Sequence, residues 1–533
     1  MRGAGGALAF GGLANFLSAC GTGTTAPSGG SSGTAIDSLV VASSLAGTVF
    51  DPNLSATALT VWPVLYDSLF DTSTPPKLAD ATAYLKDFDP KPALATTWEA
   101  SEDQLEWTLT LNTAITSPHG NKFSSADVLW SFERNLDMKW YSGIFLNRIG
   151  ITDIKQVTAP DAKTIKLSLP QVVARNYFLQ LLGSFVVPIY DSVEAKKHAT
   201  STDKWASDWI SKNACGFGPY TLKSVNSDGS AVEFEANPHY WGEKPFDTVT
   251  WRQTTESNTQ LQMLLKGKAH IIDALSPTQV QAVESSSAAK VTSVTTTGFV
   301  FIGFDNSKAP FKDVALHQGI AYALPFDEIV SSVYKGQATA MKSVISSFLQ
   351  GATDEYWNYT QDLDKATSLL APYAGESITL QYKSGDNSLK TIAILIQSSL
   401  KAVGLNIQLE AMDPNSFQTK LTAAELTMWL DNQSTPLVPD SLYALQLLFP
   451  SEPTQVLIHY SNSIVDKAIA GLATAKTTEE QNAFIKQAQK VLVEELPIVP
   501  LAQLPYISPT AEAITNIRGH GASFMWIKDL ETT

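Results

Sequence analysis

Between residues 377 and 410 the chain spells out a unit that only a sheet with parallel strands accommodates. Ile378, Leu380 and Tyr382 alternate with Thr379, Gln381 and Lys383, the two-residue period of a half-buried strand. Ser384-Gly385-Asp386-Asn387 is turn chemistry. Leu389, Ile392, Ile396, Leu400 and Val403 then recur at helical spacing, and Gly404 suits the position just past a helix end. Leu405, Ile407 and Leu409 alternate again with Asn406, Gln408 and Glu410. A strand, a helix and a strand in so short a span predict a βαβ crossover, hence parallel pairing.

The first half reads differently. Leu105, Trp107, Leu109 and Leu111 share one face of an alternating run, and residues 164–169 alternate in the same way, as antiparallel strands do. Ser124 stands three residues before Asp127, a capping-box spacing, with Val128, Leu129 and Phe132 following at helical intervals. A further helix is predicted from Thr478, with Gln481 three residues on, through Phe484, Ala488, Val491 and Leu492, stopping before Pro497. The class is therefore α/β with mixed sheets. No internal repeat is present.

At 533 residues the chain has material for two or three domains. Its 52 acidic and 37 basic residues leave a charge of −15, which argues against a nucleic-acid partner and against a polybasic membrane patch. Two cysteines, Cys20 and Cys215, are too few for a cysteine zinc site and too far apart for a disulfide framework. Past residue 20 no apolar run has the length of a membrane-spanning helix.

The N-terminus reads as an address. Met1-Arg2 precedes a small, apolar stretch over 3–17, and Leu17-Ser18-Ala19-Cys20 resembles the bacterial lipobox. Residues 1–19 are expected to be a lipoprotein signal peptide, Cys20 the lipidated residue, and the Gly/Ser/Thr-rich 20–35 a flexible tether. This places the protein outside the cytoplasm, in the periplasm or on the outer face of the cell membrane, lipid-anchored. Cys215 is expected to be a small packed residue rather than a nucleophile.

The search for chemistry yields little. No two of the seven histidines lie within five residues of each other, so no zinc spacing exists. There is no G-x-x-x-x-G-K-[ST] phosphate loop and no G-x-S-x-G elbow. Glu479-Glu480 and Glu494-Glu495 lie near helix ends, where solvated roles are the default. No catalytic residue, metal ligand or cofactor is assigned. Aromatic residues make up 10 %, most of them for the core and a few available to hold a ligand at a cleft.

A series of short motifs, in order along the chain, resembles the extracytoplasmic solute-binding proteins of ABC importers, family 5, the dipeptide/oligopeptide/nickel-binding type. They are Leu65-Tyr66-Asp67-Ser68-Leu69-Phe70, Pro92-Ala93-Leu94-Ala95-Thr96-Thr97-Trp98, Gly120-Asn121-Lys122-Phe123-Ser124-Ser125-Ala126-Asp127-Val128, Gly216-Phe217-Gly218-Pro219-Tyr220, and Asn237-Pro238-His239-Tyr240-Trp241. Phe311-Lys312-Asp313-Val314 through Ala321-Tyr322-Ala323-Leu324 is similar to a further family segment, departing at Leu316-His317-Gln318-Gly319. The resemblance implies a two-lobed periplasmic-binding-protein-like α/β fold (the large cluster C type), with mixed sheets, a hinge of two crossing strands and an extra subdomain in lobe I. By the same resemblance lobe I spans 36–300, lobe II spans 301–500, and 501–533 returns to lobe I, with crossings near Gly298–Asn306 and Leu496–Pro505.

The resemblance also implies the function: capture of a peptide or peptide-like solute in the interlobe cleft and delivery to a membrane permease, by a monomer without catalytic activity. Two alternatives stand beside it, a secreted lipid-anchored hydrolase acting on peptides or glycosides, and a non-peptide (nickel-chelate, sugar or opine-like) solute-binding protein of the same fold. In peptide-binding relatives a lobe II aspartate after a strand-ending tryptophan pairs with the ligand's ammonium. Thr427-Met428-Trp429-Leu430-Asp431-Asn432 matches, which makes Asp431 the expected anchor, Trp429 an aromatic wall and Asn432 its neighbour. Asp440, in Pro439-Asp440-Ser441, belongs to the segment that follows. Lys383 stands where dipeptide binders carry an arginine, and lacks arginine's bidentate fork. Ala58, Leu59 and Thr60 are expected in the lobe I wall, where pairing with peptide backbone is strand addition.

Overall fold

Residues 377–412 form the βαβ unit that their periodicity predicts. It is described in a computed structural model covering residues 36–44, 47–54, 61–75, 77–86, 88–273, 275–432, 436–452, 458–519 and 526–533. The leader, Cys20 and the tether lie outside the described residues, as do Ala58, Leu59 and Thr60.

Three larger sheets organise these residues. Their strands are β1 (Ser38–Ser43), β2 (Ala95–Ala100), β3 (Glu106–Leu111), β4 (Val157–Asp161), β5 (Thr164–Ser168), β6 (Tyr220–Val225), β7 (Ala231–Ala236), β8 (Thr248–Gln253), β9 (Ile271–Ile272), β10 (Ala289–Val294), β11 (Phe299–Phe304), β12 (Thr339–Ala340), β13 (Ser377–Lys383), β14 (Asn406–Met412), β15 (Met428–Asp431), β16 (Ile498–Gln503) and β17 (Tyr506–Ala511). The helices that bear on the site are α1 (Ser125–Met138), α2 (Tyr141–Arg148), α3 (Arg175–Leu182), α4 (Pro277–Glu284), α5 (Val314–Ala323), α6 (Asn387–Ala402), α7 (Ser441–Leu448), α8 (Ser463–Thr474) and α9 (Thr478–Glu495).

The first lobe is built on a seven-stranded sheet of order β10-β17-β9-β1-β8-β7-β6. β1 runs parallel to β8 and β9, and the remaining pairs are antiparallel, so parallel pairing is not confined to the second half of the chain. A separate antiparallel sheet, β2-β3-β5-β4, is the extra subdomain. In β3 the predicted alternation holds: Trp107, Leu109 and Leu111 are buried. α1 follows, its capping box closed by Ser124 N–H on Asp127 Oδ2 at 2.8 Å.

The second lobe carries the six-stranded sheet β12-β16-β11-β15-β13-β14, in which β13 is parallel to both β14 and β15. Every residue of β11 is buried. A glycine is required at its position 303, because a β-carbon there would overlap the indole of Trp429 on β15. α9 begins at Thr478, as its pattern suggests, with Thr477 as its cap. Thr477 Oγ1 accepts from Glu480 N–H at 3.2 Å, and the Glu480 carboxylate accepts from Thr477 N–H at 3.3 Å, so the capping pair is Thr477/Glu480 and not Thr478/Gln481.

The described chain passes between the lobes twice, and the crossings are narrower than their motifs imply. The first is residues 295–298, because 299–304 is already the central strand of the second sheet; the second is Leu504-Pro505, between β16 and β17. Thr296 Oγ1 donates to Leu504 O at 2.8 Å, and Leu504 N–H donates to Gly298 O at 2.9 Å. Pro500 lies within β16 and not in the connector. It is tolerated where β11 shifts register between Val300 and Phe301.

Three of the motifs, those at 65–70, 216–220 and 237–241, meet in the first lobe. Tyr240 Oη and Trp241 Nε1 both donate to Asp67 Oδ2, at 3.0 and 3.1 Å, and Lys528 of the C-terminal tail meets Asp67 Oδ1 at 3.2 Å. Gly218 lies so close to the backbone of Leu65 and Tyr66 that a side chain would displace it. Cys215 is free and buried, and burial pushes its thiol well up, as a packed rather than reactive group requires.

The departure at His317 has its own packing. Its ring stacks on Phe304 at 4.3 Å, Nδ1 donates to Glu495 O at the end of α9, and Nε2 has no partner among the described residues. Burial lowers its pKa to about 4 from 6.5. Folded His317 is thus neutral, and the stability this gives is full above pH 6.5 and lost as pH falls through about 4. His317→Phe is expected to flatten the pH dependence of stability across that window, by up to about 3 kcal/mol relative to wild type, in urea titrations at a series of pH values.

Candidate functional site

β13 and β15 run parallel and end side by side, with α6 starting after the turn that follows β13. Open α/β sheets place ligands outside the carboxyl ends of such strands. The last residue of each strand is charged. Lys383 Nζ meets Asp431 Oδ1 at 2.8 Å, with side chains 7 % and 5 % exposed. The same Asp431 oxygen accepts the Asn432 backbone N–H at 2.8 Å, and the Lys383 ammonium sits 5.0 Å from the ring centroid of Phe417.

Asn432 extends the group outward. Its Nδ2 donates to Asp386 Oδ2 at 2.9 Å, while Asp386 Oδ1 caps α6 by accepting from Ser388 N–H and Leu389 N–H. Asp386 is a site neighbour that sequence reasoning had left as turn chemistry. Its place at the head of a helix is the signal that could have found it.

Of the residues singled out by sequence, the structure brings Lys383, Asp431 and Asn432 together. Trp429 shares the Asp431 face of β15 two residues earlier, but at 1 % exposure it is a floor packed on Gly303 and not an exposed wall. Asp440 stands apart, at the head of α7. Its Oδ1 accepts from Leu442 N–H at 2.8 Å and Tyr443 N–H at 3.1 Å, a capping role, and burial pushes its carboxyl up to about 6.

α7 belongs to a seam where the lobes touch. Arg148 Nη1 and Tyr177 Oη, from α2 and α3, both donate to Gln446 Oε1 of α7, at 3.0 and 2.7 Å. The Arg148 guanidinium lies 5.1 Å from the Tyr443 ring centroid, and Ala174 N–H donates to Ala473 O at 2.9 Å. Contacts between segments this distant in sequence leave no local pattern, which is why Arg148, Tyr177 and Gln446 escaped the sequence reading.

Beside the crossings a cavity of about 150 Å³ is lined from both lobes, by Pro277 and Val280 of α4, Tyr334, Ser388 of α6, and Leu504-Pro505. A larger cavity of about 340 Å³, with Phe326, Trp357 and Lys342 in its wall, draws on the second lobe alone. Among the described residues no cluster of His, Cys, Asp and Glu suits a metal ion, and no helix is long and apolar enough to cross a membrane.

The family model described as "Bacterial extracellular solute-binding proteins, family 5 Middle" matches residues 89–455. Similar curated proteins include the probable D,D-dipeptide-binding periplasmic protein DdpA of Escherichia coli (strain K12), 28 % identical over 78 % of this chain and 79 % of that protein. Heme-binding protein A of Haemophilus influenzae is 25 % identical over 80 % of this chain and 81 % of its own length. Among solved structures, the periplasmic binding protein DppA of Helicobacter pylori, in complex with the peptide STSA, superposes with a TM-score of 0.79 at 22 % identity, over 93 % of this chain and 98 % of that one.

The Lys383–Asp431 pair has a stability consequence. Asp431→Asn leaves a buried ammonium without its counter-charge and is expected to cost about 3–5 kcal/mol, whereas the double variant Lys383→Met/Asp431→Asn is expected to lie much closer to wild type. Chemical denaturation of the two variants checks this.

Proposed function

We propose that this chain, which belongs to the bacterial extracellular solute-binding proteins of family 5, captures a peptide or peptide-like solute between its lobes and hands it to the permease of an ABC importer. What supports the reading is the polar group of Lys383, Asp431 and Asn432 at the carboxyl ends of parallel strands, together with a cavity lined by residues of both sheets' lobes beside two hydrogen-bonded crossings. Lobe I is taken as 36–300, lobe II as 301–500 and 501–533 as the return; the sheets support this division except that residues 299–300 and 501–503 belong to strands of the second sheet. The chain acts as a monomer, without catalysis, tethered outside the cytoplasm through a lipid on Cys20. The hydrolase alternative draws no support from a family defined by solute binding. Names that refer to peptides among the relatives favour a peptide over the other solutes.

The mechanism is a population shift. Open and closed arrangements interconvert about the crossings, and a solute that touches both lobes favours closure. The seam at Gln446 sets how far closure proceeds without solute.

Mass spectrometry of small molecules released on denaturing the purified protein tests the function. Release of an intact peptide-like solute is expected; a molecule chemically altered by the protein overturns the reading. Gln446→Ala removes two hydrogen bonds across the seam, each worth about 0.5–1.5 kcal/mol. The solute-free variant is expected to show a larger radius of gyration than wild type by small-angle scattering, and identical curves for the two would remove the seam from the closing motion.

A further inference from the structure

The Lys383–Asp431 pair at the carboxyl ends of β13 and β15 is electrically closed on itself. A buried carboxylate in a crevice is a natural anchor for a solute cation, but Asp431 already holds the Lys383 ammonium at 2.8 Å, and its Oδ1 also takes the Asn432 N–H. An incoming ammonium that took this oxygen would have to displace Lys383. The evicted cation would remain over Phe417, inside a site that is almost dry. The other carboxylate of the group, Asp386, is held beside the pair, with Oδ1 capping α6 and Oδ2 accepting from Asn432 Nδ2. A solute carboxylate attacking the pair from the other side would strand Asp431 in the same way. Leaving one partner of a buried pair uncompensated is far more costly than the pair itself is favourable.

Resting on the reading of the crevice as a peptide site, we propose that Lys383 is a specificity-determining residue that stands in for the solute's ammonium. The preferred solutes are therefore peptide-like molecules whose amino end is blocked or uncharged. Recognition at this point runs through neutral amide and carbonyl groups, and the internal pair selects against a free amino terminus.

Two tripeptide libraries of identical composition, one N-acetylated and one with free amines, test this by equilibrium dialysis with mass-spectrometric readout. The wild-type protein is expected to retain acetylated members about tenfold or more over their free-amine counterparts. Lys383→Met, which leaves the carboxylate without its internal partner, is expected to reverse the preference, and Lys383→Met/Asp431→Asn is expected not to. Preferential or equal retention of free amines by wild type overturns the inference while leaving the peptide reading intact. Retention of neither library by wild type overturns both. The wild-type comparison decides the matter even where the single variant does not fold.

Discussion

Everything mobile in this molecule depends on the lacing of its two crossings. Residues 295–298 and Leu504-Pro505 are hydrogen-bonded to each other through Thr296, Gly298 and Leu504. Two extended segments joined in this way bend together but do not slide past one another. In the proposed closing motion this lacing favours rotation of the lobes about a common axis. Such an axis lets contacts as distant in sequence as Tyr177 and Gln446 meet at hydrogen-bond distance. It also explains why the polar group sits at the strand ends nearest the crossings, where a small rotation moves the opposing wall least and positions it best.

The Lys383–Asp431 pair bears directly on what the proposed site would accept. A carboxylate alone in a dry site is an attractor for cations; the same carboxylate with an internal ammonium is a neutral, rigid post. Nothing else in the group needs to move for the preference to invert. Phe417 beneath the ammonium and the Asn432 N–H on the carboxylate hold the post in place.

The parts of the fold legible in the sequence were those written in local periodicity. The βαβ unit, β3 and the cap of α1 follow from spacing, because burial of one face imposes it over a few residues. The capping pair of α9 was misplaced by one position since Thr477-Thr478-Glu479-Glu480-Gln481 offers overlapping choices that only backbone geometry separates. Trp429 was legible as a residue near the site but not as its floor: its burial is decided by the absence of a side chain at Gly303, on a strand more than a hundred residues away. Asp440 reads equally well as ligand contact or helix cap from sequence, and the N–H groups of Leu442 and Tyr443 hold its carboxylate in the capping role.

The placement of β17 has a bearing on biogenesis. This strand lies between β10 and β9 in the sheet of the first lobe, yet it comes from residues 506–511, after the whole of the second lobe. During vectorial synthesis the first lobe must wait, with an unfilled slot in its sheet, until almost the entire polypeptide has emerged. A chain arranged like this delays the completion of its own first sheet.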